Sequence, residues 1–384
     1  MTHTSAGHLA GYCTLGVGGP AEVLRTATSS SEVAAAHDLA QRQHGGRLHL
    51  LGHGSNVVPS DDGLDGVVLV LRGGQIRRHA AAAGRTLVDV DGGMAWDELV
   101  AWSVAHGLTG IELLSGIPGT VGAAPVQNIG AYGQALEETL VALEAYDHEA
   151  GTTVQLSAEA CALGYRDSRF KHEWRDRFTI VRVRLALAQD RPSPPSYRDL
   201  STHFATHGGD PCDPADRRNA VLAVRRSKSM VWDPADPWSR SAGSFFMSPW
   251  LPRAQAVTIV DSVRGPGAAE QLFSWYAGED ADEVKVPAAL VLRAAGFRNG
   301  DRWGEVGLSP KHVLAIVNLG GATAQGIADV AGHLAATVAD RLDVTITPEP
   351  RFLGHFTPYE AERFARTYPH TPGEEQAPAW ARPP

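Results

Sequence analysis

The sequence predicts a protein of mixed helices and strands in two to three domains, and three observations carry that prediction. The chain has 384 residues, and domains run to about 150 residues each. In its first third, short β-branched runs alternate with amphipathic stretches. In its middle, strand-like segments follow one another across tight turns. A chain of this length buries a sizeable core without disulfide or metal staples.

The elements follow in order. Residues 33–43 are alanine-rich with one polar face, a helix. Residues 48–51 form a short apolar strand that runs into Gly52-His53-Gly54-Ser55-Asn56. Residues 67–71 and 86–90 are further strands. Residues 96–106 place Trp96, Leu99, Val100 and Val104 at the spacing of a helix face. Residues 140–146 and 152–156 read as strands around a turn at 147–151, and 181–185 alternates as a half-buried strand should. Arg191-Pro192-Ser193-Pro194-Pro195-Ser196 interrupts the pattern as a linker or long loop. Residues 210–216 are a second polar, proline-containing break. Residues 254–263 and 268–276 read as helices on either side of Gly265-Pro266-Gly267. Residues 313–319 suit a buried strand. Val330, Leu334, Val338 and Leu342 form one stripe of a helix that precedes a strand at 344–347. Beyond Phe356 the chain is polar and proline-rich, which predicts a loosely held tail.

Composition narrows the function classes. With 34 basic and 43 acidic residues the net charge is −9, which argues against nucleic acid or an anionic membrane as the partner. Cys13, Cys161 and Cys212 are odd in number and far apart. This fits a reduced compartment and disfavours a thiolate zinc site. The apolar runs are too short to span a bilayer, and residues 1–11 lack the pattern of a signal peptide. A cytoplasmic protein with no metal is the expectation. Glycine (41) and proline (24) together reach about 17% of the chain where about 12% is usual, an excess of tight turns and close backbone approaches.

Four glycine-containing segments locate part of that excess: Gly16-Val17-Gly18-Gly19-Pro20, Gly52 to Asn56, Gly92-Gly93-Met94 and Ser115 to Gly122. Glycine lets backbone N–H groups turn toward phosphate oxygens, although most such loops are ordinary turns. None matches the Rossmann or P-loop fingerprint.

More telling is the order in which particular segments recur. Gly52-His53-Gly54-Ser55-Asn56-Val57 comes first, then the run from Gly119 through Gln127-Asn128-Ile129-Gly130-Ala131-Tyr132-Gly133. Tyr165-Arg166-Asp167-Ser168, Ala242-Gly243-Ser244-Phe245-Phe246 and Pro348-Glu349-Pro350-Arg351-Phe352 follow. Together these resemble the UDP-N-acetylenolpyruvoylglucosamine reductase family, over residues 15–354. The resemblance implies an α+β fold, a vanillyl-alcohol-oxidase-like (PCMH-type) FAD-binding fold of two subdomains plus a third, α/β substrate-binding domain. The first subdomain would span 1–71, with 325–355 returning to it, and the second 72–225. The substrate-binding domain would span 226–324, and the tail 356–384. It also implies noncovalent FAD, held by Gly52, His53, Gly54, Ser55, Asn56, Ser115, Gly119, Thr120, Gly122, Gln127 and Ile129.

The implied reaction reduces UDP-N-acetylglucosamine enolpyruvate to UDP-N-acetylmuramate for peptidoglycan. NADPH reduces the flavin, and flavin N5 then delivers hydride to the enolpyruvyl methylene carbon. A proton must reach the adjacent carbon, and charge on the carboxylate side must be held. Ser244 matches the family's proton donor, Arg166 the arginine near the carboxylate and enolate, and Glu349 the acid that assists enolate stabilisation. Read alone, these three suit a helix N-cap, a surface ion pair with Asp167 or Glu173 and a turn carboxylate fixed by flanking prolines. Tyr197 matches a tyrosine on the sugar nucleotide and Lys228, in Arg225-Arg226-Ser227-Lys228, a lysine at the diphosphate; Tyr132 and Ser248 join the substrate contacts. Met247 and Ser248 depart from the family's usual lysine and asparagine. The expected partner is this small sugar nucleotide, bound by a monomer. Another FAD-dependent oxidase or dehydrogenase on the same scaffold, or a non-catalytic nucleotide-binding protein, are the alternative readings; Arg166, Ser244 and Glu349 favour the reductase.

Overall fold

The computed structural model describes residues 7–79, 84–273 and 282–373. The chain divides into two units. Unit 1 takes Met1–His8, Pro20–Ser55 and Gly63–Trp232, and unit 2 takes Leu9–Gly19, Asn56–Asp62 and Asp233–Pro384.

In unit 1, Leu64–Leu71 runs parallel between Ala21–Ala27 and Leu48–Leu51. Its Val67, Val68, Leu69 and Val70 are all buried, the continuous apolar run of a parallel strand covered on both faces. Helix α1 (Ser30–Gln43) packs Val33, Ala36 and Ala40 against Ala27, Val67 and Leu69. It starts earlier than periodicity indicates because the Ser29 hydroxyl accepts from Glu32 N–H (3.3 Å) while the Glu32 carboxylate accepts from Thr28 N–H (2.7 Å).

The second sheet of unit 1 is antiparallel, in the order Thr152–Ser157, Leu140–Asp147, Phe178–Ala188, Arg85–Asp91, Ile76–Arg78. Val88, Val90, Leu143, Val183 and Leu185 on this sheet share a core with Trp96, Leu99 and Val100 of α2 (Trp96–Ala105). Two further helices, α3 (Arg198–His207) and α4 (Pro214–Ser227), complete the unit. The second of these overturns part of a sequence expectation, because the polar break at 210–216 contains the start of a helix. The Asp213 carboxylate accepts from Ala215 and Asp216 N–H, both at 2.9 Å, and Pro214 sits in the first turn, where its missing N–H costs nothing.

Unit 2 builds its core from α5 (Arg253–Arg264), α7 (Ala288–Ala294) and α8 (Ala324–Leu342), against an antiparallel sheet ordered His312–Asn318, Val306–Ser309, Arg302–Trp303, His370–Thr371. The short helix α6 (Ala268–Phe273) follows α5; residues 274–276, expected to continue it, lie outside the described residues. Val57–Pro59 pairs in parallel with Arg351–Leu353. The strand expected at 344–347 does not form. Val344 and Ile346 are buried, but pairing is limited to Met247 N–H on the Thr347 carbonyl (2.9 Å) and a bridge from Phe246 to Pro348, since Pro348 and Pro350 have no N–H to extend a ladder.

Past Phe356 the chain is not merely a loose tail. Helix α9 (Ala361–Thr367) buries Phe364, which stacks on His333 of α8 at 4.4 Å. The buried Asp329 carboxylate accepts from Arg363 (2.6 and 3.0 Å) and Tyr368 (3.0 Å). Tyr359, Phe364 and Tyr368 supply an apolar side that the surrounding charged residues hide in the sequence. Residues 374–384 lie outside the described residues.

Candidate functional site

In unit 1 the glycine loops meet one another. Trp96 N–H donates to the Gly119 carbonyl (3.0 Å), Val121 N–H to Met94 (2.9 Å) and Gly122 N–H to Gly92 (2.8 Å). The Ser55 hydroxyl reaches the Pro118 carbonyl at 3.1 Å and joins the Gly52–Ser55 loop to this pair. A β-carbon on Gly122 would stand 2.6 Å from the Ile180 carbonyl oxygen, and one on Gly93 2.6 Å from the Arg72 backbone nitrogen. These positions need glycine because backbone packs on backbone there.

The loops differ in what they leave open. Ser115, Thr120 and Gly122 are buried, and the Ser115 hydroxyl is spent on the Glu112 carbonyl (2.6 Å). Ile129 is also buried; its N–H donates to Ala124 and its carbonyl accepts from Leu136. Gly52, His53, Ser55, Gly119 and Gln127 keep partial exposure, whereas Gly54 is buried. Burial, and secondarily Arg72, pushes the His53 imidazole below its ordinary value. Asn56 belongs to unit 2, where its side chain donates to the Glu349 carbonyl at 3.4 Å. The Gly16–Gly19 stretch also lies in unit 2, beside Asn318, whose amide donates to the Leu15 carbonyl (2.8 Å).

A cationic face stands beside the Ser115–Gly122 loop. Arg218 and Arg225 lie seven residues apart on α4, on one face of the helix. Arg218 makes a two-point ion pair with Asp97 (2.6 and 2.8 Å), and Asp97 also accepts from Gly116 N–H (2.6 Å). Burial opposes ionisation of Asp97, but these partners hold its carboxyl below the usual range. Arg225 donates to the Met230 carbonyl at 2.7 Å. Its Nε is buried near Gly116, with no hydrogen-bond partner among the described residues. Burial lowers its proton affinity, against the opposing pull of Tyr132 and Asp97. An unspent guanidinium donor beside glycine loops suits a phosphate-bearing dinucleotide.

The expected substrate residues of unit 1 gather nearby. Tyr132 and Tyr197 meet edge to face at 5.2 Å. Burial raises the Tyr132 phenol, and Asp199 adds to the effect while Arg225 opposes it. Lys228, at the C-terminus of α4, is ion-paired with Asp199 in the first turn of α3. Arg166 sits at the tip of a two-residue turn with φ +53°, and its guanidinium donates to the Gly130 carbonyl at 2.8 Å. Sequence reasoning missed Arg218 and Asp97, which are 121 positions apart; the seven-residue spacing from Arg218 to Arg225 was the available signal.

In unit 2, Ser244 is exposed between Gly243 (φ +72°) and the buried Phe245 and Phe246. It lies in a bend, not at a helix start, so capping is not its role. Phe245 N–H donates to the Leu314 carbonyl (2.9 Å), and the Phe245 carbonyl accepts from Glu349 N–H (2.9 Å). This pairing sets Glu349 opposite the neighbour of Ser244, although Ser244 and Glu349 are 105 positions apart in the chain. Ser248 lies four residues on, and its hydroxyl accepts from Ala288 N–H at 3.3 Å at the start of α7. Met247 offers its backbone to Thr347.

Comparison with known proteins gives a consistent answer. Residues 21–157 match the FAD binding domain family, and residues 233–353 match the C-terminal domain of UDP-N-acetylenolpyruvoylglucosamine reductase. The reductase of that name from Thermobifida fusca is 41% identical over 351 residues, covering 90% of this chain and 96% of that protein. The Streptomyces coelicolor reductase is 39% identical over 353 residues, covering 90% and 89%. The crystal structure of the Thermus caldophilus reductase (MurB) shares the fold, with a TM-score of 0.58 at 24% identity over 91% of this chain and 98% of that one. Among the described residues no helix is long and apolar enough to cross a membrane, and no group of three or more His, Cys, Asp or Glu residues could hold a metal ion.

Proposed function

Because the chain belongs to the UDP-N-acetylenolpyruvoylglucosamine reductase family and is an FAD-dependent oxidoreductase, we propose that it reduces UDP-N-acetylglucosamine enolpyruvate to UDP-N-acetylmuramate in the cytoplasm, at the expense of NADPH. The observation that supports this most is the hydrogen bond from Glu349 N–H to the carbonyl of Phe245, the neighbour of the exposed Ser244 in unit 2. FAD, when bound, would supply the hydride chemistry that links NADPH to the enolpyruvyl acceptor.

The protein's own groups do the rest. The unit 1 loops at Gly52–Ser55 and Ser115–Gly122, together with Gln127 and Ile129, hold the dinucleotide. Arg166 receives the substrate carboxylate, where a guanidinium binds both oxygens and holds the charge that develops there. Ser244 donates a proton to the carbon next to that carboxylate. A hydroxyl is a weak acid, so this works only because the acceptor is a strongly basic carbanion-like centre. Glu349, its backbone confined by Pro348 and Pro350, steadies the enolic form. Tyr132, Tyr197 and Lys228 bind the sugar nucleotide, and Lys228 exchanges its ion pair with Asp199 for the diphosphate. Ser248 supplies a weaker hydrogen bond to the substrate than asparagine would.

The test is direct. The purified protein should be yellow, release FAD on denaturation, and oxidise NADPH when the enolpyruvyl sugar nucleotide is present. A colourless preparation that cannot be reconstituted with FAD would refute the assignment.

A further inference from the structure

We infer that Asn128 is a positioning residue for Arg166, holding the guanidinium in place for the reduction of the enolpyruvyl acceptor. The inference rests on the role given to Arg166 above. Arg166 occupies the second position of a two-residue turn closed by Gly164 N–H on the Asp167 carbonyl (3.0 Å) and Asp167 N–H on the Gly164 carbonyl (3.1 Å). Its φ of +53° is a conformation that a residue with a β-carbon adopts only under constraint. Something outside the turn must supply that constraint.

Asn128 does so from the base of the turn. The residue is 3% exposed. Its amide donates to the Gly164 carbonyl (2.9 Å) and to the Glu137 carboxylate (2.8 Å), and its oxygen accepts from Glu137 N–H (3.0 Å). The Gly164 carbonyl therefore accepts twice, once from within the turn and once from Asn128, and both of its lone pairs are occupied. Asn128 itself has φ +44°, which asparagine tolerates better than most residues.

The same segment meets the turn at two other points. The Ser168 hydroxyl donates to the Val126 carbonyl (2.5 Å), and the Arg166 guanidinium donates to the Gly130 carbonyl (2.8 Å). The first grips the chain beyond the turn. The second uses the group that the substrate must share. Two side chains thus fix the turn's backbone without drawing on the Arg166 guanidinium: Lys171, whose ammonium donates to the Arg166 carbonyl (2.6 Å), and Asn128, which holds the base of the turn and ties it to the Gln127–Gly130 segment. Loss of the Asn128 amide donors frees the turn to relax toward negative φ and carries the guanidinium away. Misplacement of a charge-bearing group by about 1 Å can cost on the order of a hundredfold in rate.

Asn128→Gly keeps the left-handed backbone and removes the carboxamide. Asn128→Asp keeps its shape and its tolerance of positive φ but replaces the amide donors with acceptors. Both would be compared with Arg166→Ala and the double variant N128G/R166A, as holoenzymes, by anaerobic rapid mixing. Each variant is followed through flavin reduction by NADPH and reoxidation by UDP-N-acetylglucosamine enolpyruvate. N128G and N128D should keep the bound-flavin spectrum and the NADPH step within about twofold, and slow reoxidation by about 10- to 100-fold. In the R166A background, N128G should add less than about a further twofold, since the two act as one unit. Full multiplication of the two losses, or equal slowing of both half-reactions, would show a general structural role and overturn the inference. If one Asn128 variant fails to fold, the other carries the same comparison. Unchanged reoxidation in R166A alone would instead remove the role of Arg166, and the inference with it.

Discussion

Glu349 N–H donates to the carbonyl of Phe245 over 2.9 Å, so the carboxyl-bearing residue stands across from the neighbour of Ser244. Phe245 is fixed in turn by its N–H on Leu314 and by its buried ring. The exposed hydroxyl is therefore carried by a rigid frame in unit 2. Removing the hydroxyl alone leaves that frame intact. Ser244→Ala should preserve flavin reduction by NADPH and slow flavin reoxidation by the enolpyruvyl substrate by about 10²- to 10⁴-fold. Rapid-mixing traces of the two half-reactions check this; equal loss in both would remove Ser244 from the proton-transfer step.

The glycine loops make a stability prediction. A β-carbon on Gly122 meets the Ile180 carbonyl oxygen at 2.6 Å and Gly92 Cα at 3.1 Å. Backbone atoms on both sides cannot yield cheaply. Gly122→Ala should destabilise the protein by about 1–3 kcal/mol and weaken FAD retention, as read by denaturant melts and by flavin content after gel filtration.

Two buried histidines predict how stability varies with pH. Burial, with His37 nearby, pushes His148 down to about 4, and its Nδ1 has no partner among the described residues. Burial, with His370 and Arg341, pushes His333 to about 4. From the ordinary value of 6.5 down to about 4, the unfolded chain takes up protons that the native fold refuses. Stability therefore falls as pH falls through that window and levels off below it. The midpoint of thermal unfolding should drop from pH 7 to pH 4, and His148→Gln should make that drop shallower. An unchanged slope would contradict the account.

The clasp on α8 gives a fourth prediction. Asp329 takes hydrogen bonds from Arg363, Tyr368 and Gln325 while almost wholly buried. Asp329→Asn should cost about 2 kcal/mol and expose α9 to proteolysis. A variant as resistant as the parent would show that α9 is held by its apolar face alone.

What could be read ahead of the structure follows physical lines. The central strand Leu64–Leu71 announces itself as a continuous apolar run, and α2 by the spacing of Trp96, Leu99 and Val100. The loops at Gly52 and Ser115 stand out because glycine marks close backbone approach. Helix α4 was masked at its start because a cap and an N1 proline look like a break until the helix beyond them is seen. The strand expected at 344–347 failed because flanking prolines cannot donate. The roles of Asn128 and Asp97 depend on partners 36 and 121 positions away, and local pattern does not encode such distances. The segments around Arg166, Ser244 and Glu349 were visible only as a family resemblance; their isolated chemistry reads as an ion pair, a cap and a turn.

The most direct test of the central claim is a single turnover. The purified holoenzyme is reduced anaerobically with one equivalent of NADPH and mixed with UDP-N-acetylglucosamine enolpyruvate, and flavin absorbance and product mass are followed together. The account predicts rapid return of oxidised flavin with formation of one equivalent of UDP-N-acetylmuramate. Flavin that stays reduced until oxygen is admitted, with the sugar nucleotide recovered unchanged, would contradict it.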